Sequence, residues 1–125
     1  MTTEQLEFYL NRHNSFGYNT ENNSEIVGWI ILKKLFPVPG FFERFEEADD
    51  PERYRVQMKV KTEPYVVWIA QVPRAVFESD RYHVNEDYLF NVNYTFRSLD
   101  DVRDFLKEMG YDLSEIKWAA DVDFL

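Results

Sequence analysis

Residues 54–72 read YRVQMKVKTEPYVVWIAQV, and this stretch limits the folds open to the chain more than any other. Tyr54, Val56, Met58 and Val60 alternate with Arg55, Gln57, Lys59 and Lys61, the period of two of a strand with one buried and one wet face. Thr62-Glu63-Pro64 interrupts the alternation. Residues 65–72 continue as a denser apolar run, of the kind that fills an interior strand covered on both sides. The pattern predicts a β-hairpin over residues 54–72 against which the other elements pack.

Two helices are marked by their ends. Residues 3–12 carry a cap at Thr2 or Thr3, Glu4 in the first turn and an apolar stripe of Leu6, Tyr9 and Leu10, flanked by Phe8. Residues 99–109 follow Ser98 as cap, hold Asp100 and Asp101 in the first turn, present Val102, Phe105, Leu106 and Met109 on one face, and stop at Gly110. Residues 88–97 alternate again, with Tyr88, Phe90, Val92, Tyr94 and Phe96 expected inward and Leu89, Asn91, Asn93, Thr95 and Arg97 outward, as a third strand.

The segments between are less regular. Residues 14–23 read as a polar, turn-rich loop. Residues 24–36, with the run IVGWIILKKLF, are ambiguous. Ser24 as cap, Glu25 in the first turn, Lys33 and Lys34 near the end and Pro37 beyond favour a buried helix, whereas Ile26, Val27, Ile30 and Ile31 are β-branched and favour a central strand. The reading adopted is the helix, with the strand as its alternative. After the break at Pro37-Val38-Pro39-Gly40, residues 41–47 are expected as a short helix whose phenylalanines plug the core. An acidic surface loop then leads to residue 54. Residues 74–87 read as an irregular charged crossing, and Ser114 as the start of a further turn through Ile116 and Trp118.

Across 125 residues, 45 % are hydrophobic and 18 % aromatic, enough to build a core and too many for a disordered chain. No repeat, linker or low-complexity segment divides the sequence, so one domain over residues 1–125 is expected. Fourteen basic against 23 acidic side chains leave a formal charge of −9. That balance disfavours nucleic acid and anionic lipid as partners, and it either simply keeps the chain soluble and monomeric or favours a basic protein. Cysteine is absent, which removes disulfides, thiolate nucleophiles and cysteine-ligated metals. No apolar run approaches the length of a membrane span, and the first residues, MTTEQLEFYL, lack the basic-then-apolar pattern of a secretory leader. The expected location is therefore cytoplasmic, and the sequons at Asn22 and Asn93 are taken as chance matches.

Four constellations carry candidate chemistry. Residues 43–52 hold Glu43, Glu46, Glu47, Asp49, Asp50 and Glu52. A calcium loop needs alternating acids, a glycine and a closing glutamate, and here the acids are adjacent and Pro51 intervenes. A solvated loop, a recognition patch for a basic partner and a calcium site are the three readings. His13 and His83 have no second histidine at a metal-binding spacing and are read as loop residues without chemistry. Asp100-Asp101 is explained by the dipole of the helix it opens. Arg53, Arg55, Lys59 and Lys61 form a basic stripe on the expected wet strand face, where charge guards against strand-to-strand aggregation. No phosphate loop and no nucleophile elbow occurs.

The sequence thus predicts an α+β fold, an antiparallel sheet of three or more strands in a single layer pair with the N-terminal and C-terminal helices. The expected function is that of a small protein-binding module rather than an enzyme, an inhibitor or immunity-type protein that occludes a basic, nucleic-acid-handling partner. Glu46, Glu47, Asp49, Asp50 and Glu52 are the candidate contact residues, and Arg55, Lys59, Lys61, Asn91 and Asn93 an alternative face. No cofactor, metal, nucleic acid or membrane is expected. A DNA-mimicking anti-restriction protein is one alternative, diluted by the 14 basic residues, and a calcium-binding regulator using residues 43–52 is the other.

Overall fold

The computed structural model describes residues 1–79, 81 and 83–125. Its frame is a five-stranded, wholly antiparallel sheet in the order β4-β3-β2-β1-β5, built from β1 (Phe16–Asn22), β2 (Ile26–Lys34), β3 (Tyr65–Pro73), β4 (Phe90–Phe96) and β5 (Lys117–Trp118). The α+β architecture is that read from the sequence.

Residues 26–34 are a central strand and not a helix. Val27 to Leu32 are buried without interruption, which suits a strand flanked on both sides by β1 and β3 and covered on both faces. The terminal signals that favoured a helix are outweighed by nine residue pairs with β3. Residues 14–23 are likewise not all loop. Residues 16–22 form β1, whose polar side chains are used locally: Asn19 Nδ2 donates to the Gly28 carbonyl at 3.0 Å, and Asn23 Oδ1 accepts from the amides of Glu25 and Ile26 to close the turn into β2. Gly17 is required here, because a Cβ would lie 2.1 Å from the Ile30 carbonyl oxygen.

The largest correction falls on residues 54–61. They belong to a helix, α3 (Pro51–Thr62), and the expected 54–72 hairpin does not exist. Asp50 caps this helix by accepting from the Arg53 amide, Pro51 takes the first turn, Glu52 favours the positive end of the dipole, and Lys59 and Lys61 lie in the last turn. In a helix, residues two apart point to nearly opposite sides. Tyr54 and Met58 therefore share a half-buried side, while Val56 is exposed.

One sheet face is covered by α1 (Thr3–Leu10) and α5 (Leu99–Glu108). Leu6, Leu10, Val102 and Leu106 pack there on Phe16, Tyr18, Ile30, Leu32, Val67 and Ile69. Both helices start where the sequence places them, with Thr2 accepting from the Gln5 amide and Ser98 from the Asp101 amide. Gly110, at φ 91°, turns the chain after α5. Met109, expected on the apolar face, is exposed, and Phe105 is half-buried against Tyr94 and Phe96. The opposite face carries Val27, Trp29, Ile31, Ala70 and Val72. The chain end (Val122, Phe124 and Leu125), Tyr88 and the short α4 (Arg74–Phe77) lie against it.

Residues 88–97 contribute β4 as an edge strand. Phe90, Val92, Tyr94 and Phe96 lie on the helix-covered side and Asn91, Asn93 and Thr95 on the other, as expected, whereas Tyr88, expected with the first group, precedes the strand and packs on the opposite face. The edge position leaves Phe90 and Tyr94 exposed. Ile116 is buried, and Trp118 packs on Phe16 and Tyr9 from β5. Among the described residues, no helix is long and apolar enough to cross a membrane.

Candidate partner-binding surface

The acidic residues lie on an arm inserted between β2 and β3. Its base is held where the Leu35 amide donates to the Pro64 carbonyl at 2.8 Å, beside the last strand pair, Lys34 with Tyr65. From there the chain passes through α2 (Phe41–Arg44), shorter than the helix expected over 41–47, and returns along α3. The phenylalanines do not plug the main core. Phe41, the one buried side chain among residues 35–64, stacks instead with Phe42, Phe45 and Tyr54 at ring separations of 5.2–6.2 Å, a separate cluster that joins α2 to α3. Lys61 lies over the Phe42 ring at 4.9 Å.

No residue of α3 is buried, so the helix is not pressed onto either sheet face. Its twelve residues, at 1.5 Å each, place the acidic turn about 18 Å from the arm's base. Glu46, Glu47, Asp49, Asp50 and Glu52 are all exposed there. Two of them also shape the turn. The Asp49 carboxylate accepts from the Glu46 amide at 2.7 Å, and Asp50 caps α3 while sitting 3.8 Å from the Arg53 guanidinium. The remaining carboxylates face solvent. From residue 43 to 52, six carboxylates accompany one guanidinium, that of Arg44, so this segment holds five of the chain's nine net negative charges.

Sequence reasoning missed the exposed apolar side chains of the same arm. Val38, Phe45 and Val56 are 55 %, 42 % and 50 % exposed. They give the arm the mixture of exposed apolar groups and charged rim found in protein interfaces. The Asp50-Pro51-Glu52 start signal, read as a helix opening, would have revealed Val56 by turning it away from Tyr54 and Met58.

The alternative face is divided between two elements. Arg55, Lys59 and Lys61 ride on α3, where residues 55 and 61 point to different sides, while Asn91 and Asn93 lie on β4. Asn91 accepts from the Trp68 indole at 2.7 Å. The basic stripe was a consequence of reading residues 54–61 as a strand. His13 packs on the Phe36 ring at 4.9 Å. Among the described residues, no group of three or more histidines and carboxylates is placed to hold a metal ion.

A polar network ties the arm's base to the helix layer. Lys34 Nζ donates to Glu7 Oε1 at 2.8 Å and to Asn11 Oδ1 at 2.7 Å, and the Tyr65 hydroxyl donates to the same Glu7 carboxylate at 2.6 Å. Burial, and then the bond to Glu7, push the Tyr65 phenol well above its ordinary range. Tyr18 is raised likewise, first by burial and then by the nearby Asp112 and Glu115 charges, and its hydroxyl donates to the Asp112 carbonyl.

No protein family, curated protein or solved structure matches this chain.

Proposed function

We propose that the chain is a protein-binding module, of inhibitor or immunity type, that occludes a basic, nucleic-acid-handling protein with the acid-tipped arm of residues 35–64. It acts in the cytoplasm by binding and not by catalysis, and its partner is protein rather than nucleic acid. The observation that carries this reading is the concentration of five net negative charges at the far end of an arm that also exposes Val38, Phe45 and Val56. The carboxylates would steer a basic partner into encounter, and the apolar side chains would supply the contact that persists once water is expelled.

The test compares the unmodified chain with two variants in parallel. Glu46→Gln, Glu47→Gln, Asp49→Asn and Asp50→Asn together remove the charge, while Asn keeps the side-chain acceptors that shape the turn and cap α3. Arg55→Glu, Lys59→Glu and Lys61→Glu together reverse the basic residues of α3. Low-salt capture with mass-spectrometric identification supplies the partner, and stopped-flow association at two salt concentrations then measures the effect. The neutralised arm should associate roughly tenfold or more slowly and lose most of its salt dependence. The reversed variant should associate as fast as the unmodified chain or faster. Normal association by the first and failure of the second would overturn the proposal.

A further inference from the structure

The two edges of the sheet are finished differently. On one side β5 is two residues long and passes directly into a 3-10 turn. It lies beside β1, whose ladder shifts register between Asn19 and Glu21. A short, bulged edge offers little to an incoming strand. On the other side, β4 pairs with β3 over residues 90–96 with no shift in register and ends the sheet. Among the described residues, no loop backbone hydrogen-bonds to residues 90–96 from the outside. The strand reads Phe-Asn-Val-Asn-Tyr-Thr-Phe, without a charge or a proline, the usual guards of an open edge. Four of its seven residues are exposed.

We infer that β4 is the seam of a homodimer, in which it pairs antiparallel with β4 of a second copy about a twofold axis at Asn93, joining the sheets into one of ten strands. Three observations commit the edge to a second copy. The strand is nearly self-complementary: the axis sets Phe90 opposite Phe96 and Val92 opposite Tyr94 on the helix-covered face, and Asn91 opposite Thr95 and Asn93 opposite itself on the other. Side chains of the same kind therefore meet at every pair, which is what an isologous contact requires. The seam is also neutral where the molecule is not. Two copies at −9 repel, but residues 88–96 carry no charge. The charges beside them are set back from the seam: Asp87 is already paired with Arg81 of its own chain, and Arg97 lies beyond the strand's end. Finally, the opposite edge is blunted, so pairing closes at two copies and does not propagate into a fibre.

The mass in solution tests this directly. Sedimentation of the full chain from micromolar to near-millimolar concentration should show 15.1 kDa rising to twice that value. Added salt should favour the heavier species by screening the like-charged copies. Asn93→Lys sets two ammonium groups against each other at the axis while lowering the net charge of each copy. It should hold the mass at 15.1 kDa with the circular dichroism of the monomer unchanged. Asn93→Cys gives a chain with a single thiol. Opposed residues of an antiparallel pair have Cα atoms about 4.5–5.5 Å apart, within disulfide reach. Under mild oxidation that chain should link to its copy many times faster than Lys117→Cys, on the other edge. A mass fixed at 15.1 kDa throughout, a dimer indifferent to Asn93→Lys, or equal linking by the two cysteine variants would each overturn the inference.

Discussion

Replacing Phe41 with alanine should unfold the arm and leave the sheet standing. Phe41 is 4 % exposed and is the buried centre of the Phe41–Phe42–Phe45–Tyr54 cluster, whereas α3 contributes no buried residue of its own. Truncating a buried phenylalanine to alanine costs about 3–5 kcal/mol. An isolated helix of α3's length is marginal in water, so little else holds the arm once that cluster is lost. If the arm opens as a unit by itself, the loss falls on the local opening equilibrium, and the loss in global stability cannot exceed the arm's own share. Amides of α3 should then exchange roughly a hundred- to several-thousand-fold faster in Phe41→Ala, the range that about 3–5 kcal/mol corresponds to. Amides of β2 and β3, and the far-ultraviolet signature of the sheet, should change little. Hydrogen exchange followed by mass spectrometry, with urea unfolding alongside, separates the two contributions. Acceleration of β2 and β3 in step with α3 would mean that the arm and sheet form one cooperative unit, and the reasoning from burial would be refuted.

Two further expectations concern the core and its tyrosines. Leu106→Ala should destabilise by about 3–5 kcal/mol in urea unfolding because the side chain is fully buried, and Phe105→Ala by roughly half of the full phenylalanine cost, since Phe105 packs half-buried on Tyr94 and Phe96. The reverse order would show that the buried side of α5 has been misplaced. Stability should also fall in alkali. The phenols of Tyr18 and Tyr65 are raised above 10 in the fold, so their contribution is complete below pH 10 and is lost as the unfolded chain ionises first. Each should steepen the fall above that point, and Tyr18→Phe or Tyr65→Phe should remove its share from urea midpoints measured between neutral and alkaline pH.

Local chemistry was sufficient for α1, α5 and β3. Thr2 and Ser98 satisfy helix amides within three residues of themselves, and an apolar stripe at a period of 3.6 has only one element to suit it, so those assignments needed no distant partner. The exposure of residues 46–50 was equally legible, because unpaired carboxylates remain in water. Elsewhere the tertiary structure decided. Residues 26–34 are apolar on every side, and such a run becomes a strand once β1 and β3 lie on either hand to take its backbone hydrogen bonds. Residues 54–61 alternate as well as any strand in the chain, yet no strand lies beside them. A capped helix satisfies its own backbone, and the Asp50 cap with Pro51 behind it makes that helix the stable choice. The helix then keeps Arg55 and Lys59 on one side, one turn apart, turns Lys61 away from them, and exposes Val56. The reason is the same in each case: a helix closes its hydrogen bonds within a few residues, which a sequence displays, whereas a strand closes them with a distant segment that only the folded chain supplies.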